Sequence, residues 1–110
     1  MFRMRDCLEF QYSMYTYIIH DPGNDIYKIG KTRNPSKRLY TIKRINPFVE
    51  LVFLYHSDIE NILHQCYEHK RVHAEWFQLN IEDINKIQNE YRRHRVRDLS
   101  FFKILSNEQR

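Results

Sequence analysis

Two extended segments joined by five consecutive turn-forming residues constrain this chain more than any other feature. Residues 15–20, Tyr15-Thr16-Tyr17-Ile18-Ile19-His20, are aromatic and β-branched, and residues 26–31 return with similar character. Between them stands Asp21-Pro22-Gly23-Asn24-Asp25, in which every residue favours reversal of the backbone. An antiparallel hairpin follows. Side chains alternate faces along a strand, so Tyr15 and Tyr17 share one face of the first strand. Lys28 and Gly30 share one face of the second, with Tyr27 and Ile29 on the other.

Beyond the hairpin the punctuation is equally direct. Asn34-Pro35 supplies a cap and a first-turn proline, opening a helix that runs to about Ile45 with Leu39, Ile42 and Ile45 as its buried edge. Asn46-Pro47 stops it, and residues 49–55 form a third strand apolar enough to be central or well covered. Asp58 is placed to cap a second helix, in which Ile59, Ile62, Leu63, Cys66 and Tyr67 follow helical spacing toward a core. Glu60, His64 and Glu68 recur every four residues beside that stripe and face a partly open surface.

Glu75-Trp76-Phe77 comes after a short connection, with Trp76 and Phe77 as a core plug and Glu75 set to pair with Arg71. Asn80 caps a third helix, Asp83 returns the bond, and Ile84, Ile87 and Tyr91 form its apolar edge. The order hairpin, helix, strand, helix, helix predicts a small α+β domain: a three-stranded, mainly antiparallel sheet flanked by helices. Residues 1–13 read as an N-terminal extension and residues 14–94 as the domain. Residues 95–110 read as a tail that packs on it through Leu99, Phe101, Phe102, Ile104 and Leu105.

At 110 residues the chain is long enough for one core, and the aromatic share of 15% supplies much of its burial. No apolar run has the length of a membrane span, and the N-terminus lacks a signal-peptide core, so an intracellular site, cytoplasmic or nuclear, is expected. The two cysteines, Cys7 and Cys66, have no metal-like spacing and fit a reducing compartment as well as a disulfide.

The charge is more telling in its distribution than in its net value of +4. No acid lies between Asp25 and Glu50, a stretch that holds Lys28, Lys31, Arg33, Lys37, Arg38, Lys43 and Arg44. Arg92, Arg93, Arg95 and Arg97 form a second cluster. Segregation of this kind suits a polyanion, because backbone phosphates are held by clustered Lys and Arg. Lys31, Arg33, Lys37, Lys43, Arg44, Arg92 and Arg93 are the candidate DNA-backbone contacts.

The same residues resemble the motifs of the GIY-YIG nuclease superfamily, which has this order of elements. Tyr15-Thr16-Tyr17 stands at the first motif and Lys28-Ile29-Gly30 at the second, with Lys28 eleven positions after Tyr17. Arg38 falls eight positions after Gly30, and Glu60 followed by Leu63 matches the helix that carries the metal-binding glutamate. The chain is most similar to a phage- and virus-rich branch whose second motif is Tyr27-Lys28-Ile29-Gly30. That branch closes with Leu63-His64 and Glu75-Trp76-Phe77. Tyr15 and Thr16 replace Gly and Ile of the first motif, Lys28 replaces a tyrosine, and Ala74 stands where a glycine is usual. The resemblance implies a DNA endonuclease that uses Mg²⁺ or Mn²⁺ and leaves 5′-phosphate and 3′-hydroxyl ends.

The chemistry is consistent with that expectation. Phosphodiester hydrolysis needs an activated water, charge neutralisation on the phosphoryl oxygens and help for the leaving oxygen. Glu60 is the candidate metal ligand, for a hard ion that binds through few carboxylates and keeps its waters. Arg38 is the candidate phosphate fork, and Tyr17 is expected to lose its proton more easily beside metal or cations, acting as general base or orienting the water. Lys28 supplies charge or a proton, and His64, one turn from Glu60, is a second base or a phosphate contact. No organic cofactor and no membrane partner are expected. Two other readings use the same residues: a nucleic-acid-binding module without turnover, and a protein-interaction or inhibitory domain with a basic face.

Overall fold

The computed structural model describes residues 14–99; the expected N-terminal extension and Phe101, Phe102, Ile104 and Leu105 of the tail lie outside the described residues. Five strands and three helices follow in order: β1 (Tyr15–Asp21), β2 (Ile26–Thr32), α1 (Pro35–Ile45), β3 (Glu50–Tyr55), α2 (Glu60–Cys66), β4 (Arg71–His73), β5 (Trp76–Phe77) and α3 (Ile81–Glu90). A single 3-10 turn, Glu68–Lys70, links α2 to β4. No helix among the described residues is long and apolar enough to cross a membrane.

The hairpin forms as its residues dictate, with Tyr15 opposite Thr32, Tyr17 opposite Gly30 and Ile19 opposite Lys28. Its turn is organised by Asp21, which is buried. The Asp21 carboxylate accepts from the Gly23 amide at 3.1 Å, from Asn24 Nδ2 at 2.9 Å and from Asn46 Nδ2 at 3.2 Å. Three donors on one carboxylate tie the hairpin tip to the end of α1.

The sheet has five strands, not the expected three, in the order β3-β1-β2-β5-β4 with every neighbouring pair antiparallel. The extra strands are a short hairpin, β4–β5, that adds to β2 through Tyr27 opposite Phe77 and Lys28 opposite Trp76. Segments of three and two residues are too short to show a period, so their character is set by the free edge of β2. Its turn runs through Ala74 at φ 51, a left-handed conformation that strains any residue with a Cβ. Strand β3 is an outer strand; residues 94–96 lie along its far side, with Tyr55 bridged to Arg95 and the Val96 amide donating to the Leu54 carbonyl at 2.7 Å.

Each face of the sheet carries a core. Leu39 of α1 covers Tyr17, Ile19, Val49, Leu51 and Leu54, with Ile42 and Trp76 at the margin. On the opposite face Ile59, just before α2, packs with Leu63 of α2 and Ile84 and Ile87 of α3 against Ile18, Tyr27, Ile29, Phe53 and Phe77. A bulge lets β3 serve both. The register against β1 shifts between Ile18 and Ile19, so Phe53 faces one core and Leu51 the other although they are two residues apart.

The helix caps are as read: Asn34 accepts from the Lys37 amide at 3.1 Å, and Asn80 with Asp83 forms a reciprocal capping box. Two expectations of burial fail. Ile45 is 86% exposed, because steps of three residues drift about 60° around a helix of 3.6 per turn, carrying it off the Leu39–Ile42 edge. Ile62 and Cys66 are exposed for the same reason, leaving Ile59 and Leu63 as the buried pair of that stripe. Asp58 stands one residue before Ile59, at the boundary of α2, and its Oδ1 accepts from the Glu60 amide, the first of the helix, at 3.3 Å.

Candidate functional site

The site is built around the contact of Tyr17 with Gly30. Tyr17, the partner of Gly30 across the hairpin, lays its ring over the glycine, and a Cβ at position 30 would lie 2.5 Å from Tyr17 Cζ. Gly30 is therefore a seat for the aromatic ring, not an exposed stretch of backbone; it is itself buried. Tyr17 is only 3% exposed.

Three charged side chains converge on that ring from three other elements. Burial pushes the Tyr17 phenol above its ordinary value, the Arg38 guanidinium opposes the shift by charge, and the Glu75 carboxylate reinforces it. Hydrogen bonding to Arg38 lowers it and the charge of Glu60 raises it again. The expected easier loss of the tyrosine proton is thus absent among the protein's own groups: removal from water outweighs the cation.

Glu60 stands at the start of α2, half-buried. Its position follows from Thr16, a fully buried residue of β1. The Thr16 hydroxyl donates to the Ser57 carbonyl at 2.8 Å and accepts from the Ile59 amide at 2.9 Å, pinning the entry to α2 against β1. Burial pushes the Glu60 carboxyl up, Glu75 pushes it further, and His64 and Lys31 pull it down. The Glu60 carboxylate, with the charge of Glu75 raising its proton affinity and cations beside it, is placed to gain from a bound positive charge.

Glu75 is the residue that sequence reasoning missed. It pairs with Lys28 at 3.8 Å, not with Arg71, whose Nε instead donates to Glu68 at 2.7 Å. The reason lies in the backbone. The Ile29 amide donates to the Glu75 carbonyl at 3.0 Å, so the β4–β5 turn sets Glu75 beside β2, and Arg71 is turned back on the Ala74 carbonyl and Glu68. The available signal was its place directly before Trp76, which sits opposite Lys28 once the short hairpin is docked.

His64 closes the group. Its Nε2 lies 2.9 Å from the Ile29 carbonyl, and a carbonyl only accepts, so Nε2 carries the proton and Nδ1 is the basic nitrogen of the neutral ring. The two backbone groups of Ile29, beyond the reach of the short β5, are thereby both satisfied, by Glu75 and by His64.

Tyr17, Arg38, Glu60, Glu75, Lys28 and His64 form one neighbourhood. The candidate DNA contacts are dispersed. Lys31 Nζ is paired with Asp58 at 3.2 Å beside Glu60, whereas Lys37 and Arg44 lie exposed along α1, with Arg44 over the Tyr40 ring. Arg33 is exposed before the helix and Lys43 half-buried near its end. Arg92 and Arg93 are exposed in the turn after α3, which leads onto the far side of β3, two strands from Lys28.

No group of three His, Cys, Asp or Glu among the described residues is arranged to hold a metal by itself. No curated protein and no solved structure matches the chain. A family model described as the T5orf172 domain matches residues 14–92, a span that takes in every strand and helix above and the whole neighbourhood of Tyr17. The chain belongs to the T5orf172 domain family, a phage-associated group related to GIY-YIG/HNH-like nuclease folds.

Proposed function

We propose that this domain is a divalent-metal-dependent DNA endonuclease of the GIY-YIG type. The observation that carries the reading is the convergence of Tyr17, Arg38, Glu60 and Glu75, from β1, α1, α2 and the β4–β5 turn, into one electrostatically coupled group. A structural role alone does not account for gathering two carboxylates against a buried phenol.

The donor set fits a hard cation. Glu60, aided by Glu75, offers oxygen ligands only, and one or two carboxylates suit Mg²⁺ or Mn²⁺, which fill the remaining positions with water and substrate phosphate. When bound, such an ion neutralises charge on the phosphoryl oxygens. The protein's own groups do the rest. Arg38, exposed at the start of α1, forks onto phosphate oxygens, and the Tyr17 hydroxyl beside it orients the attacking water as a neutral donor. His64 Nδ1 takes the proton of that water, its ring held in the required tautomer by the Ile29 carbonyl. Lys28, held by Glu75, supplies charge or a proton toward the leaving oxygen.

Supercoiled plasmid and linear DNA incubated with Mg²⁺, with Mn²⁺ and with EDTA provide the test, with Glu60→Gln, Arg38→Ala and Glu75→Gln alongside. Metal-dependent nicking is expected, reduced by about a hundredfold or more in Glu60→Gln and Arg38→Ala and by a smaller factor in Glu75→Gln. Equal cutting in wild type and all variants refutes the reading. The burial of Tyr17 favours one alternative, a nucleic-acid-binding module on the same fold; binding without cutting under every metal condition selects it.

A further inference from the structure

The end of α1 carries an apolar corner that the proposed chemistry does not use. Ile45 is 86% exposed and Phe48 74% exposed, three residues apart across the Asn46-Pro47 turn. Phe48 is held outward by construction. Its amide donates to Asn46 Oδ1 at 3.1 Å, Asn46 Nδ2 is anchored on Asp21 at 3.2 Å, and the next residue, Val49, is buried. A large apolar pair kept in water at a hydrogen-bonded turn is unusual unless it meets something.

The surroundings specify what. From Ile26 to Val49 the chain contains no acid, and Lys37 and Arg44 lie exposed along the outer side of α1, leading to the corner. Ile45 stands seven residues after Arg38, two helical turns on the same flank, about 10 Å along the axis, or roughly three base steps at 3.4 Å. A flat aromatic at the end of a cationic track matches the design of single-strand binding surfaces, in which cations follow the backbone and aromatic faces stack on bases. A continuous duplex offers no free base face to such a group.

We infer that Phe48 stacks on unpaired bases, with Ile45 packed against them, of a nucleic acid whose backbone runs along α1, so that the domain prefers single-stranded or forked DNA to continuous duplex. This rests on the reading of the basic face as a nucleic-acid surface, and it adds the class of substrate.

Fluorescence anisotropy in EDTA, with labelled oligonucleotides presented as single strand, fork and blunt duplex, tests binding apart from cleavage. Phe48→Ala is expected to weaken single-strand and fork binding by on the order of tenfold and to leave blunt-duplex binding within about twofold, with Phe48→Tyr restoring the preference. Phe48 is exposed, so neither variant endangers the fold. Equal loss on all three forms, or no loss, overturns the inference; with metal-dependent nicking intact, the nuclease reading then stands alone. A Phe48→Ala change seen only as dissociation of a dimer in sedimentation, with binding unchanged, assigns the corner to a second copy of the chain and overturns it too. Preference lost in Phe48→Ala while wild type fails to cut upholds the stacking and removes the nuclease.

Discussion

Gly30→Ala is the most revealing single change in this domain, because one methyl group tests the seat on which Tyr17 rests. In an open strand the substitution would stabilise the protein by roughly 0.4–1 kcal/mol, since alanine has fewer unfolded conformations to lose. Here the new Cβ would lie 2.5 Å from Tyr17 Cζ and 3.0 Å from Cε2, with the hydroxyl oxygen closer still. Ordinary contact begins near 3.4 Å, so the ring must move by about 1 Å. Tyr17 is 3% exposed and packed among Ile19, Leu39 and Leu54, so the motion spreads into the core. Overpacking of this kind costs about 1–3 kcal/mol, which outweighs the entropic gain. The same displacement carries the hydroxyl off its position beside Arg38, and a misplacement near 1 Å at a reacting centre lowers rate by about a hundredfold.

Urea denaturation followed through the fluorescence of Trp76, the single tryptophan, measures the stability change, and a double-mutant cycle isolates its cause. In a Tyr17→Val background the ring is gone and Gly30→Ala is expected to be neutral or stabilising. An equal cost in both backgrounds, or none in wild type, would refute the steric account and with it the reason for a glycine here.

Two further changes probe the supports of the site. Thr16→Val keeps the shape but leaves the buried Ile59 amide without its acceptor, and about 1–3 kcal/mol is expected to be lost by urea titration, with plasmid nicking reduced as Glu60 loses its anchor; an unchanged midpoint contradicts this. The Asp21 carboxyl is held below its ordinary value chiefly by the Asn24 hydrogen bond, with Asn46 and Gly23 adding to it and burial opposing. A depressed acid contributes stability above its unfolded value, near 3.9, and that contribution fades as pH falls through the lower folded value. Asp21→Ala should therefore destabilise at neutral pH and converge on wild type in acid; a pH-independent gap between their urea midpoints would exclude the linkage.

What was legible in the sequence was whatever rests on local chemistry. The Asp21–Asp25 turn, the Asn34-Pro35 start and the Asn80/Asp83 box each need only residues a few positions apart, and each forms as read. The pairing of Tyr17 and Gly30 across the hairpin follows from the same turn. What escaped depends on contacts that local pattern does not encode. Strands β4 and β5 exist because the edge of β2 is open, and their turn uses Ala74 at positive φ where no glycine announces it. Glu75 was misassigned for that reason alone: with three strands it has Arg71 for a neighbour, and with five it has Lys28. The missing strands and the missed carboxylate are thus a single error. It has a physical meaning, since the element that completes the sheet is also the one that brings a second acid to Glu60. If the domain cleaves DNA, this hairpin is part of its active site as much as of its fold, and replacements that loosen the Ala74–Glu75 turn should lower turnover before they lower stability.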